Sequence, residues 1–541
     1  MTMKTRFLFR GAFAAAFVLG LSELATAQGQ TNPPITIPVE GPSGMDVLRY
    51  GASTFDRTIA GSRAKSMGGA SLAMDADVNV ATVNPAGFSR LTGPTLSADT
   101  RWLSGGVTAT DAPSGFPSPL GTEFPIENYA PTLTSNYAYN DIAFGLPIIF
   151  LGRRAGLGVA YRRLIDFRSG TEERFLVMSP FGDADFGSGE QFSGSVDALS
   201  PSLSMAISSR LSLGATINFM TGSVASKGDQ GVTTFGQVVT EGFVTLDQEV
   251  NGTSVDLGAR LELIPNFTVA GVLQAGHDLK FTSGKDQFRG LTDPTEMDPT
   301  PIIFNRTLLD HSLSVPTMFG LGLAWKTMSD RVIVAGDYWN RAWGNATFSR
   351  ESFATFTIFP DTLNLAQTFS TVIPTGGSVT KGAGLKDTHH IRIGAEWLVK
   401  GDGVEGITIP VRAGFRNEPR TFPNVRTDRM LEINRQIGVI AAEGSRPVAD
   451  RQADIRGLMD EVFQDGSLLL AGDEIPTTTI SIGTGIHVDS FSFDVGIART
   501  QYEYTHLFLG SFNEFTLSTY VQSVTEDRSL TEMSFTATLR F

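Results

Sequence analysis

The chain contains no cysteine, so no disulfide can staple it. No stretch of its 541 residues reaches the roughly 18 consecutive apolar positions that a membrane helix requires. Positive charge is in short supply: 42 Lys and Arg stand against 56 Asp and Glu, a formal charge of -14. That balance argues against a nucleic-acid partner. Only six histidines are present, and the one adjacent pair, His389-His390, would point to opposite faces of a strand. HExxH, GxSxG, a phosphate loop and a metal-spaced Cys/His cluster are all missing, which leaves no enzyme chemistry, cofactor or metal to assign. Asp75 and Asp77 lack the remaining ligands of a calcium loop and read as turn residues.

What the chain does have is two-residue alternation. Val255, Leu257, Ala259, Leu261 and Leu263 interleave with Ser254, Asp256, Gly258, Arg260 and Glu262. A strand has period two, so one face is wholly apolar and the other carries every charge. Fourteen such segments can be read, at 94–104, 141–151, 156–166, 191–207, 210–221, 253–264, 267–275, 316–326, 331–340, 390–399, 407–416, 476–488, 491–499 and 529–541. Short turns (152–155, 208–209, 265–266, 327–330, 400–406, 489–490) alternate without exception with long connections (105–140, 167–190, 222–252, 276–315, 341–389, 417–475, 500–528).

That pattern fits an all-β fold, a 14-stranded antiparallel transmembrane β-barrel with both termini at the short-turn end. Lipid forbids open sheet edges, so the sheet must close. The apolar face then meets lipid, and Asp256, Arg260, Glu262, Asp337, Arg392, Glu396, Arg412, Arg416 and Asp494 line the lumen. A secreted sandwich or propeller is the competing class, but no blade motif repeats. Trp325, Trp397 and Phe541 fall at short-turn ends, and Trp339 and Trp343 at the long-connection end, as two interfacial belts.

The ends of the chain agree. Lys4, Arg6 and Arg10 precede an apolar run to Leu21 and a small-x-small site at Ala25-Thr26-Ala27, the pattern of a signal peptide over 1–27. The last strand alternates Met533, Phe535, Ala537, Leu539 and Phe541, and its terminal aromatic resembles the signal read by the barrel assembly machinery. Residues 28–44 are rich in Pro, Gly and Thr and read as a disordered periplasmic lead.

Residues 45–92 are rich in small side chains and too short to bury a core alone. Packing inside the lumen would solve that. The run Arg63-Ala64-Lys65-Ser66-Met67-Gly68-Gly69-Ala70, then Asp75-Ala76-Asp77, then Asn84-Pro85-Ala86-Gly87, resembles the N-terminal hatch of FadL-like outer-membrane transporters. Leu385-Lys386-Asp387 before Arg392-Ile393-Gly394, and Asp337-Tyr338-Trp339-Asn340 with Trp343, resemble late strands of that family. The resemblance implies a hatch at 45–92, a barrel at 93–541 in the bacterial outer membrane, and passive uptake of long-chain fatty acids or hydrocarbons. It also implies that such hydrophobic small molecules or lipids leave sideways through the wall near strand three. Pro147, mid-strand, cannot donate to a ladder, and Gly156 and Gly158 add little packing, so a bulge or gap is expected there.

Met430, Leu431, Ile433 and Ile437, followed by Ile455, Leu458, Met459 and Val462, have helical spacing within connection 417–475. The rival function is a non-transporting barrel acting as a scaffold or shuttle for a secretion system, since long connections suit either role.

Overall fold

A computed structural model describes Ile35–Ile37 and most of residues 57–541. It leaves out chiefly 112–114, 118–122, 179–182, 291–301, 359–370, 401–405, 461–471 and 514–517. The signal peptide, Asp75 and most of the lead lie outside the described residues.

Every alternating segment forms a strand. They are β1 (Thr95–Asp111), β2 (Asn136–Phe150), β3 (Arg153–Asp166), β4 (Ala184–Ala206), β5 (Leu211–Thr234), β6 (Gln237–Ile264) and β7 (Phe267–Gln274). Then follow β8 (Met318–Lys326), β9 (Val332–Arg341), β10 (Thr388–Lys400), β11 (Ile407–Asn417), β12 (Thr477–Val488), β13 (Phe491–Asn513) and β14 (Ser518–Arg540). Each pairs antiparallel with the next, and β1 pairs with both β2 and β14, with Leu96 opposite Leu539. The ring is therefore closed and leaves no barrel edge to satisfy.

Exposure settles which face is inside. Leu257 and Leu261 are 48 % and 37 % exposed, whereas Asp256 and Arg260 are 1 % and 4 % exposed. The same inversion recurs at Leu321, Ile393, Val411, Ile480 and Ile482, all exposed on the outer wall. A soluble protein does not present so continuous an apolar surface to water. At the short-turn end, Leu151 (φ 52°) and Gly152 (φ 71°) give the β2–β3 turn the left-handed pair that a tight hairpin requires.

The long connections are not loops in the ordinary sense. β5 has 24 residues and β6 has 28, more than twice the roughly 9–11 that a tilted strand needs to cross a bilayer. Further strands at Glu123–Leu133, Ser169–Val177, His277–Gly290, His311–Val315 and Thr347–Ile358 continue the sheet beyond the barrel wall. Helix α3 (Thr427–Ala442) also forms, burying Ile433 and Ile437, with Ile455 buried nearby in the chain. Within the stretch read as a disordered lead, Ile35–Ile37 forms a short strand that pairs antiparallel with Phe356–Ile358.

One belt differs from expectation. Trp325, Trp397 and Phe541 are exposed on the outer wall near the short turns. Trp339 and Trp343 are buried at 1 % and 2 % exposure, so they belong to the interior. Tyr137, Phe319 and Tyr338 hold the outward positions at the other end. The reason is register: Trp339 shares the inward parity of Asp337, and Trp343 follows the end of β9.

Candidate functional site

The described residues of 57–93 pack within the barrel. They form α1 (Ser62–Ser66), α2 (Val78–Val83) and a 3-10 turn (Pro85–Arg90). Asp77 caps α2 by accepting from the Asn79 N–H at 2.9 Å. Asn84 caps the 3-10 turn from the Ala86 N–H at 3.2 Å and donates to the carbonyls of Leu72 and Ala259. Pro85 follows at the first helical position, where its missing N–H is not needed. Short elements like these are marginal alone, and here packing against the wall sustains them.

The wall is shaped to receive this segment. A Cβ on Gly156 or Gly158 would run into Phe88, on Gly214 into Pro85 and Ala86, on Gly258 into Asn84 and Pro85, and on Gly322 into Leu72. On Gly394 and Gly414 it would strike Met67 and Gly68, and on Gly483 the Ser66 side chain. Gly68 itself has φ +65°, and a Cβ there would stand 2.8 Å from the Ile393 carbonyl. Left-handed backbone and close approach together demand glycine at that position. Thus Gly156 and Gly158 are not weak packing; they are the seat of the buried Phe88.

Polar contacts fix the same interface. Asp337 accepts from the Ser71 and Leu72 N–H groups at 2.7 and 3.1 Å. Arg63 of α1 donates twice to Glu396 at 2.9 and 2.7 Å, and Arg412 bridges Glu396 (2.6 Å) to Asp494 (2.7 Å). Asp256 holds Arg57 at 2.6 Å. Arg392 and Arg416 both reach Glu418, just beyond β11. Burial alone would push the Glu418 carboxyl up, but these two guanidiniums hold it well below the usual range. Of the nine charges read as lumenal, Asp256, Arg260, Asp337, Arg392, Glu396, Arg412 and Asp494 are buried, and Glu262 and Arg416 are half-buried.

The expected break at Pro147 does not occur there. The β2–β3 ladder runs without a register shift from Asp141 opposite Arg162 to Phe150 opposite Arg153, with Pro147 opposite Gly156. The β1–β2 ladder reaches only Gly145, so Pro147 lies past its end. The irregularities are elsewhere. β2 carries an extra residue at Asn140, and β3 one at Leu164, where both registers slip by one. A bulge bends the strand and re-aims its groups. Asn140 turns inward and donates to the Ile59 carbonyl at 2.9 Å. The Leu164 carbonyl accepts the Thr58 N–H at 2.9 Å, and the Thr58 hydroxyl donates to the Arg163 carbonyl. Two neighbouring bulges therefore grip the two residues that enter the inner segment.

Beside this grip lies a cavity lined by Arg57, Leu164, Ile165, Met220, Leu279, Val315, Met318 and Trp343, with Gln274, His277 and Arg341 as polar members. It adjoins an apolar cluster that includes Phe167, Val196, Phe281 and Leu385. Arg341 donates to Gln274 at 3.0 Å and lies over the Trp339 ring at 4.5 Å. Burial, and then the neighbouring Arg57, push the His277 imidazole below its ordinary value, so it is neutral at neutral pH. Sequence reasoning missed these lining residues because they come from β3, β5, β7, β8, β9 and segments beyond the wall. No local motif joins them.

No protein-family model and no curated protein matches the chain. Among solved structures, a Pseudomonas aeruginosa FadL homologue matches 90 % of this chain and 100 % of its own, at 13 % identity and TM-score 0.52. The Pseudomonas putida toluene transporter TodX matches at 12 % identity over 90 % and 100 % of the two chains, with TM-score 0.45. At these identities the likeness to the FadL homologue is one of fold: the chain is a closed barrel of FadL-like architecture.

Proposed function

We propose that the protein is a bacterial outer-membrane transporter for passive uptake of hydrophobic molecules. The observation that carries this reading is the closed FadL-like barrel with an apolar outer wall and an inner segment held within it by the wall glycines and by Asp337, Glu396 and Asp256. The mostly aliphatic cavity beside the β2 and β3 bulges has room for about one water molecule, so a lipid-like ligand passes there only when the inner segment shifts. Arg57 is paired with Asp256 and Arg341 with Gln274, so the reading covers long-chain fatty acids and hydrocarbons alike. The short turns then face the periplasm, the extended strands face outward, and Phe541 presents the last strand to the barrel assembly machinery.

Residues 45–92 act as a hatch in this reading, seated on the wall glycines and held by Asp337, Glu396 and Asp256. Lateral release takes place at the Leu164 bulge rather than at Pro147. A ligand pressing on the Leu164 side chain strains the carbonyl that holds Thr58. The test is gentle extraction followed by lipid analysis, with uptake of labelled fatty acid in deletion strains. Copurified fatty acid and lost uptake support the reading. Protein without bound lipid, from cells whose uptake survives the deletion, would leave the scaffold role instead.

A further inference from the structure

We propose that Ile35–Ile37 docks on an edge of the strand Thr347–Ile358, which places these residues outside the cell. Ile35 lies opposite Ile358, Thr36 opposite Thr357 and Ile37 opposite Phe356. One edge of Thr347–Ile358 is paired with Thr371–Gly382. The other edge pairs with His311–Ser314 over Thr347–Arg350, and further along with Ile35–Ile37. The sequence suits a short added strand: Ile-Thr-Ile is β-branched throughout, and Pro33, Pro34 and Pro38 cap it on both sides.

An independent observation gives the direction. Arg57 is bonded to Ser254 and Asp256, toward the long-connection end of the wall-forming part of β6, and Thr58 to Leu164, near the same end of β3. From there the chain descends to Gly93 and Pro94, where the Phe541 N–H donates to the Pro94 carbonyl at 2.8 Å at the short-turn end. Between those levels the inner segment touches glycines of nine strands closely enough to exclude a Cβ. Arg57 thus stands at the same long-connection end as the strand Thr347–Ile358, and the separation of Ile37 from Arg57 allows on the order of 70 Å of extended reach.

The absence of native cysteine makes the test clean. The full-length variant Thr36→Cys is compared with Ser445→Cys in an outer connection and Ser490→Cys in a short turn. Each is treated on intact cells with a membrane-impermeant maleimide, and folding is checked by heat-modifiable gel migration. Labelling of Thr36→Cys to the extent of Ser445→Cys is expected. Labelling only after permeabilisation, as for Ser490→Cys, overturns the proposal. The double variant Thr36→Cys/Thr357→Cys should also form a disulfide, because directly opposed strand residues stand within bridging distance. Folded double variant that stays reduced under oxidant overturns the docking.

Discussion

The carbonyl of Leu164 accepts the backbone N–H of Thr58 at 2.9 Å, and the side chain of the same leucine lines the cavity. One bulged residue thus faces the cavity and holds the inner segment. Thr58→Pro removes that donor, a loss of about 1 kcal/mol. Faster proteolysis near residue 58 and altered fatty-acid uptake are expected. Thr58→Val, which keeps the N–H, should have the smaller effect; equal effects would refute the backbone link.

Gly258 faces Asn84 and Pro85 too closely for any side chain. Gly258→Leu should destabilise the seat by about 1–3 kcal/mol or more while the barrel still closes. Gly187→Ala, with nothing within 4 Å of the new Cβ, is the control and should be silent. Thermal unfolding in detergent, together with protease access to residues 57–93, reads both.

Glu396 is the shared partner of Arg63 and Arg412. Glu396→Gln takes the carboxylate from the half-buried Arg63 and one of two from the buried Arg412, which keeps Asp494, at a cost of up to about 3–5 kcal/mol. A drop in unfolding temperature with early release of the inner segment is expected. An unchanged melting curve would show that the network contributes nothing.

Glu418 gives a pH signature. Its folded carboxyl is held well below the ordinary value of 4.5. A depressed acid stabilises the fold fully above that ordinary value, and the contribution is lost as pH falls through the folded value. Unfolding temperature should therefore hold steady from pH 7 down to about 5 and fall below it. Glu418→Gln should flatten that acid limb; an unaltered limb would remove Glu418 from the account.

Pro147 and Leu164 make opposed predictions. Pro147 sits in an unbroken β2–β3 ladder, so Pro147→Val should leave uptake unchanged. Deleting Leu164 restores regular β3 pairing and should suppress uptake. The reverse outcome, measured with labelled fatty acid, would move the exit back to Pro147.

Much of the fold was legible before any coordinates. Period-two alternation states which face of each strand is apolar, and closure in lipid turns that face outward, so Leu257 and Asp256 could be placed from sequence alone. The strand extensions of β5 and β6 were not legible. They carry no one-sided apolar alternation, and they read as connections.

The sequence by itself determined the strands, their faces and the inward side of the charges, because strand periodicity and lipid solvation act locally on every residue. Only the tertiary structure decided that Arg63 meets Glu396, that Phe88 seats on Gly156 and Gly158, that Trp339 turns inward, and that the bulges fall at Asn140 and Leu164. Each of these depends on what lies opposite in space: an extra residue or a missing Cβ has meaning only once its non-local partner is in place.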